Sequence, residues 1–200
     1  MSDHAAAIRG LPRWHPEPLV QDTIHRIRAH GWSVTAVSEL CAECAEECEV
    51  PDCAFAYSTG LTLHSIPELI VYGLDAATSG AVINELGDLL HRCDWTELVQ
   101  AGTEICVAAL DVPLRLVELI DKDDMCVSNV LFPDAPALQV IWPDDWGHFP
   151  WDEAYALEPE HQPVKGVLSD PAVPITGPRV ISRSYGPNRK ERRRRKPTAG

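Results

Sequence analysis

Two hundred residues, 45% of them hydrophobic, can build one core and leave little room for a second at the usual ~100–200 residues per domain. The net charge of −13 is unevenly divided: nine of the 17 basic residues but only one of the 30 acidic ones lie in 179–200, making that tail +8 and residues 1–178 −21. An acidic body repels nucleic acid and anionic membranes at long range, which argues against the main domain as a binder of either, whereas the tail would attract both.

MSDHAAAIRG has neither the basic start nor the ~7–15-residue apolar stretch of a secretory signal, and no later run reaches the roughly 18 apolar residues of a membrane span. A cytoplasmic location without membrane contact is therefore expected. Glu17 to His30 places Val20, Ile24 and Ile27 on one helical face, with Gly31 where a left-handed cap residue would stand. Trp32 to Val37 is β-branched and reads as a strand. It leads into an acidic, cysteine-rich stretch, Cys41 to Cys53, after which Ala54 to Leu61 reads as a second strand.

Leu69 to Tyr72, a short apolar run closed by Gly73, has the pattern of a strand buried on both faces and is assigned the centre of the sheet. Asp75 can cap a helix running to about His91, with Val82, Leu86, Leu89 and Leu90 as its buried stripe despite Gly80. Ile105 to Leu110 and Leu114 to Ile120 suit a hairpin, and Asp121 or Asp123 could cap a short helix to Leu131. Leu138 to Trp142 supplies the last strand. After Trp151 the apolar periodicity stops and prolines recur.

The expected architecture is thus α+β: a mainly antiparallel sheet of about five or six strands packed by two or three helices. One domain is assigned to residues 15–157 and a Pro-rich, basic, disordered tail to 158–200.

Cys41-x2-Cys44-x3-Cys48-x4-Cys53 could supply four thiolates to a zinc ion. Glu43, Glu46, Glu47 and Glu49 crowd this stretch, and no glycines turn it into knuckles. Residues 41, 44 and 48 would share one helical face, where cysteine behaves as a small buried hydrophobe, so packing is preferred to metal and no cofactor is assigned. The same carboxylates oppose a redox role by raising thiol pKa values.

Two further constellations stand out. Phe55-Ala56-Tyr57-Ser58-Thr59-Gly60-Leu61 precedes Pro67-Glu68-Leu69 and Gly73, and Gln139-Val140-Ile141-Trp142-Pro143-Asp144 precedes Gly147 and Phe149-Pro150-Trp151-Asp152. Together they resemble the bacterial family catalogued as domain of unknown function 4262. The resemblance runs from about His25 to Gly166 and takes in Gln162-Pro163-Val164. Ser58-Thr59 and Ile66 depart from the family's usual residues. The resemblance implies a domain but no reaction.

Ser58, Thr59, His64 and Glu68 include the residue types of a nucleophile and base, without the Gly-x-Ser-x-Gly elbow that would expose the serine. The late aromatic residues beside carboxylates could hold a planar or cationic ligand, or could simply lid the core. No phosphate-loop, dinucleotide or His-Glu-x-x-His motif occurs. The expectation is a non-catalytic domain that binds an unknown small molecule or protein through one surface formed by Tyr57, Gly60, Pro67, Glu68, Trp142, Asp144, Gly147 and Trp151. The alternatives are an enzyme using Glu68 or Asp144 as acid or base, and a zinc-stabilised adaptor using Cys41, Cys44, Cys48 and Cys53.

The charge run Arg189 to Lys196 generates a test of its own. Labelled single-stranded RNA should bind the full chain weakly and without sequence preference, with a salt slope of roughly 0.7–0.9 per phosphate contact, and should not bind a chain ending at Pro178. Equal binding by both, or by neither, would remove the tail from any functional argument.

Overall fold

The computed structural model describes residues 4–37, 54–100, 102–167 and 180–181. The cysteine-rich stretch and the basic run at the end of the chain lie outside the described residues. In chain order the elements are α1 (His4–Ala7), a 3-10 turn (Ile8–Gly10), α2 (Pro18–His30), β1 (Ser33–Val37), β2 (Phe55–Thr59), a 3-10 turn (Leu61–His64), β3 (Glu68–Tyr72), α3 (Ala76–Leu90), α4 (Trp95–Gln100), β4 (Ile105–Cys106), β5 (Arg115–Leu119), α5 (Cys126–Leu131), β6 (Ala137–Ile141), β7 (Gly166–Val167) and β8 (Val180–Ile181).

Six strands form one sheet in the order β1-β2-β3-β6-β5-β7, and β3, buried along its whole length, sits inside it as its apolar run demands. All neighbours are antiparallel except the central pair: β3 and β6 run parallel, Glu68 opposite Ala137 and Val71 opposite Val140. The fold is therefore α+β, with a mixed, mostly antiparallel sheet and helices on both faces.

Side chains alternate across the sheet, so each strand feeds two cores. Leu69, Val71, Leu116, Leu138 and Val140 face α3, whose Val82, Ile83, Leu86 and Leu90 complete the larger cluster. Tyr57, Ile70, Tyr72 and Ala137 face the other way and pack with Val20, Ile24 and Ile27 of α2 and Val127 of α5. Farther along the same face, Val117 and Ile141 are covered by Phe149 and Trp151.

The signals for α2 and α3 resolve as read. Pro18 opens α2, and the Gly31 N–H, at φ 99°, closes it on Ile27 O. Asp75 accepts from the N–H groups of Ala77 and Thr78 at the start of α3.

Two readings change. The expected hairpin reduces to one bridge, Ile105 to Leu114, because β5 spends its hydrogen bonds on β6 and β7 while β4 pairs in parallel with β8. The expected Asp121–Leu131 helix begins only at Cys126, since the Asp121 carboxylate is occupied by the Asp123 N–H in a turn. Beyond 157, Gln162 is buried, β7 adds Gly166–Val167 to the sheet, and β8 (Val180–Ile181) pairs with β4. Side-chain amides and the β7 pairing, rather than apolar periodicity, hold the 158–167 segment, so the hydrophobic pattern gave no sign of it.

Gly73 shows why the central strand ends where it does. Its N–H bonds Ala54 O, its φ is +75°, and a Cβ there would lie 2.0 Å from the His161 carbonyl oxygen. Gly73→Ala should therefore lower stability by about 2–4 kcal/mol. Gly80, inside α3 with open space around it, should gain about 0.5–1 kcal/mol on change to alanine. Denaturant midpoints of the two variants check both signs.

Candidate functional site

Glu68 is 1% exposed at the first position of β3. Its Oε2 accepts from the Ser58 hydroxyl at 2.5 Å, and its Oε1 from the N–H groups of Gly60 at 2.8 Å and Thr62 at 3.1 Å. Ser58 Oγ accepts in turn from the Leu69 N–H at 2.8 Å. The carboxylate thus closes the turn between β2 and β3. Only glycine suits position 60, at φ 113° with Ile27 Cγ1 3.0 Å from where a Cβ would sit. Burial pushes the Glu68 carboxyl up from its ordinary value, against the opposing hydrogen bonds from Ser58, Thr62 and Gly60.

Asp144 plays a similar part beyond the end of β6. It too is 1% exposed, and its Oδ1 accepts from the N–H groups of Trp146 at 3.0 Å and His148 at 2.9 Å while Oδ2 accepts from Ala156 at 3.0 Å. Burial acts to raise its pKa, but the three backbone donors outweigh it and hold the carboxyl below the usual aspartate value. Gly147 closes the turn by donating to Asp144 O at 3.0 Å.

The residues expected to form one surface fall into two groups. Gly60, Pro67 and Glu68 gather at the start of β3. Trp142, Asp144, Gly147 and Trp151 gather past the end of β6, where Trp142 Nε1 donates to Tyr72 O and Trp151 stacks on Phe149 with centroids 5.1 Å apart. Because β3 and β6 are parallel with Glu68 opposite Ala137, Trp142 stands five residues up the strand from Glu68, roughly 16 Å at ~3.3 Å per residue. Tyr57 belongs to neither group: its hydroxyl, on the α2 face, accepts from the Val127 N–H. A single shared site is not formed.

Several functional-looking residues escaped the sequence reading. Gln139, fully buried, donates to Pro163 O and accepts from the Lys165 N–H, and Gln162 accepts from Trp142 N while donating to Trp142 O and Tyr155 Oη. A glutamine inside the apolar run Leu138 to Trp142 was the available signal. Arg115 lies 4.3 Å from the Phe149 ring centroid and 3.2 Å from Glu104. Lys165 and Tyr72 share Asp124, which raises the Lys165 pKa; burial, then Asp124, raises that of Tyr72.

Among the described residues, no group of three or more His, Cys, Asp or Glu is arranged to hold a metal ion, and Cys93, Cys106 and Cys126 are free thiols. No described helix is long and apolar enough to cross a membrane.

Residues 26–156 match the family model described as domain of unknown function (DUF4262), and the chain belongs to that family. No curated protein and no solved structure matches it.

The two carboxylates should respond differently to substitution. Glu68→Gln keeps an acceptor for Gly60 and Thr62 and should stay within about 1 kcal/mol of wild type, whereas Glu68→Ala orphans three donors and should cost about 3 kcal/mol. Asp144 has a depressed pKa, so its stabilisation is present above the ordinary value of ~3.9 and is lost as pH falls through its folded value. Asp144→Asn should therefore be less stable than wild type at neutral pH, with the gap closing in acid. Denaturant titrations across pH would show it.

Proposed function

We propose that this chain is a non-catalytic binding domain whose recognition surface is the loop that Asp144 organises. The observation that carries this reading is Trp146, 73% exposed on a turn whose backbone is fixed by two hydrogen bonds to one buried carboxylate oxygen. An indole held in water on a rigid support offers a large contact area that costs little conformational entropy to immobilise. Exposed Asp145 and the His148 ring flank it, so the chemistry favours a planar or cationic small molecule, or a protein surface bearing such a group.

The enzyme reading loses support from the same geometry. Glu68 and Asp144 are both buried, and their oxygens are engaged by donors of the fold itself, so neither is placed to exchange a proton with a substrate. The zinc-adaptor reading rests on cysteines outside the described residues. Weak polyanion binding by the tail rests on its charge and is a separate proposal.

A thermal-shift panel of planar and cationic compounds tests the domain reading through ligand-linked stabilisation. A compound that raises the Tm of the wild type should raise that of Glu68→Gln equally and that of Trp146→Ala much less. A compound consumed by the wild type but not by Glu68→Gln or Asp144→Asn would overturn the reading in favour of an enzyme.

A further inference from the structure

We propose that His4, His64 and His91 form a proton-operated latch, holding the N-terminal segment 4–10 against the 61–64 turn when neutral and releasing it on mild acidification. The three rings come from three parts of the fold. His4 stacks on His64 with centroids 5.8 Å apart and planes inclined by 14°, and His64 meets His91 edge-on at 5.0 Å. Trp32 lies 5.7 Å from His91 on the outer side.

The segment itself buries little. Neither α1 nor the 3-10 turn after it buries a residue; Ile8 packs only partly against the α2-side core, and Leu11 is the first buried anchor. His4 adds one hydrogen bond through Nε2 to Arg28 O at 3.2 Å, while its Nδ1 is buried without a partner among the described residues. Local opening of an element with so few buried contacts costs far less than global unfolding.

The charges around the cluster set the sign. Burial, then His91 and His4, hold the His64 pKa below its ordinary value against a hydrogen bond with Gly31. His91 is lowered by burial and by Arg92, with Asp88 opposing. The Arg28 guanidinium, on the α2 side, is engaged with Leu11 O and Pro12 O. A histidine whose folded pKa is depressed contributes stability that is present above ~6.5 and is lost as pH falls toward the folded value. Protonated rings at these separations repel, and undocking the segment separates His4 from the other two. The turn it uncovers is the one Glu68 organises.

Hydrogen exchange read as protection factors at about pH 7.5 and about pH 5.5, either side of the ordinary histidine value, tests the latch on the full chain. Amides 5–10 should lose protection by about tenfold or more at the lower pH, the equivalent of one coupled pKa unit, while α3 amides keep theirs. His64→Phe, which retains a stacking ring without a charge, should keep the segment protected at both values. His4→Phe, which leaves the turn untouched but loses the hydrogen bond to Arg28 O, should be less protected than wild type at about pH 7.5 yet show no change between the two values. Unchanged protection in the wild type, equal loss across α3, or a wild-type response in both variants would overturn the proposal.

Discussion

Backbone groups that leave a sheet must still find partners, and in this fold buried side chains supply them. Glu68 serves the turn entering β3, Asp144 the loop leaving β6, Gln139 the segment that returns past β6, and Gln162 both backbone groups of Trp142. An unsatisfied buried N–H or C=O costs ~1–3 kcal/mol, comparable to a sizeable share of a domain's net stability. The central parallel pair makes this need acute. A parallel connection cannot close in a two-residue turn, so irregular chain has to cross both ends of β3 and β6, and each crossing exposes backbone that the ladder does not pair.

This constraint also accounts for the family's motif pattern in this chain. Among the expected site residues, Gly60, Glu68, Asp144 and Gly147 build turns: two carboxylates that gather N–H groups and two glycines at positive φ beside them. Polar side chains in turns read in sequence like catalytic ones, because both need hydrogen-bonding residues at fixed offsets from glycines. What distinguishes them is where their oxygens point, and sequence carries no record of that. The proposed binding reading accordingly rests on Trp146, exposed on one of these turns, rather than on the acids beneath it.

Much of the fold was legible. Val20, Ile24 and Ile27 marked α2, Asp75 marked the start of α3, and the unbroken run Leu69 to Tyr72 marked a strand buried on both faces, because each of these signals is local. Pairing was not legible. Ile105 and Leu114 do meet, yet β4 takes a partner about 75 residues away in β8, a choice that depends on chain outside either segment's own pattern. The ordered placement of 158–167 was not legible for a related reason: hydrophobic periodicity measures burial of apolar surface, and these residues are held by amide hydrogen bonds of Gln139 and Gln162 and by the β7 pairing instead.

Gln162 has one more consequence. By engaging both the N–H and the C=O of Trp142, it fastens the two ends of a 20-residue excursion to each other at a single amide. A clasp of this kind separates the fate of the loop from that of the sheet: the closure entropy varies only as the logarithm of loop length, a doubling costing ~0.6 kcal/mol, and the strand beneath is paired on both sides. The stretch between clasp and strand is therefore a cassette. A change of length at its tip need not re-register β6.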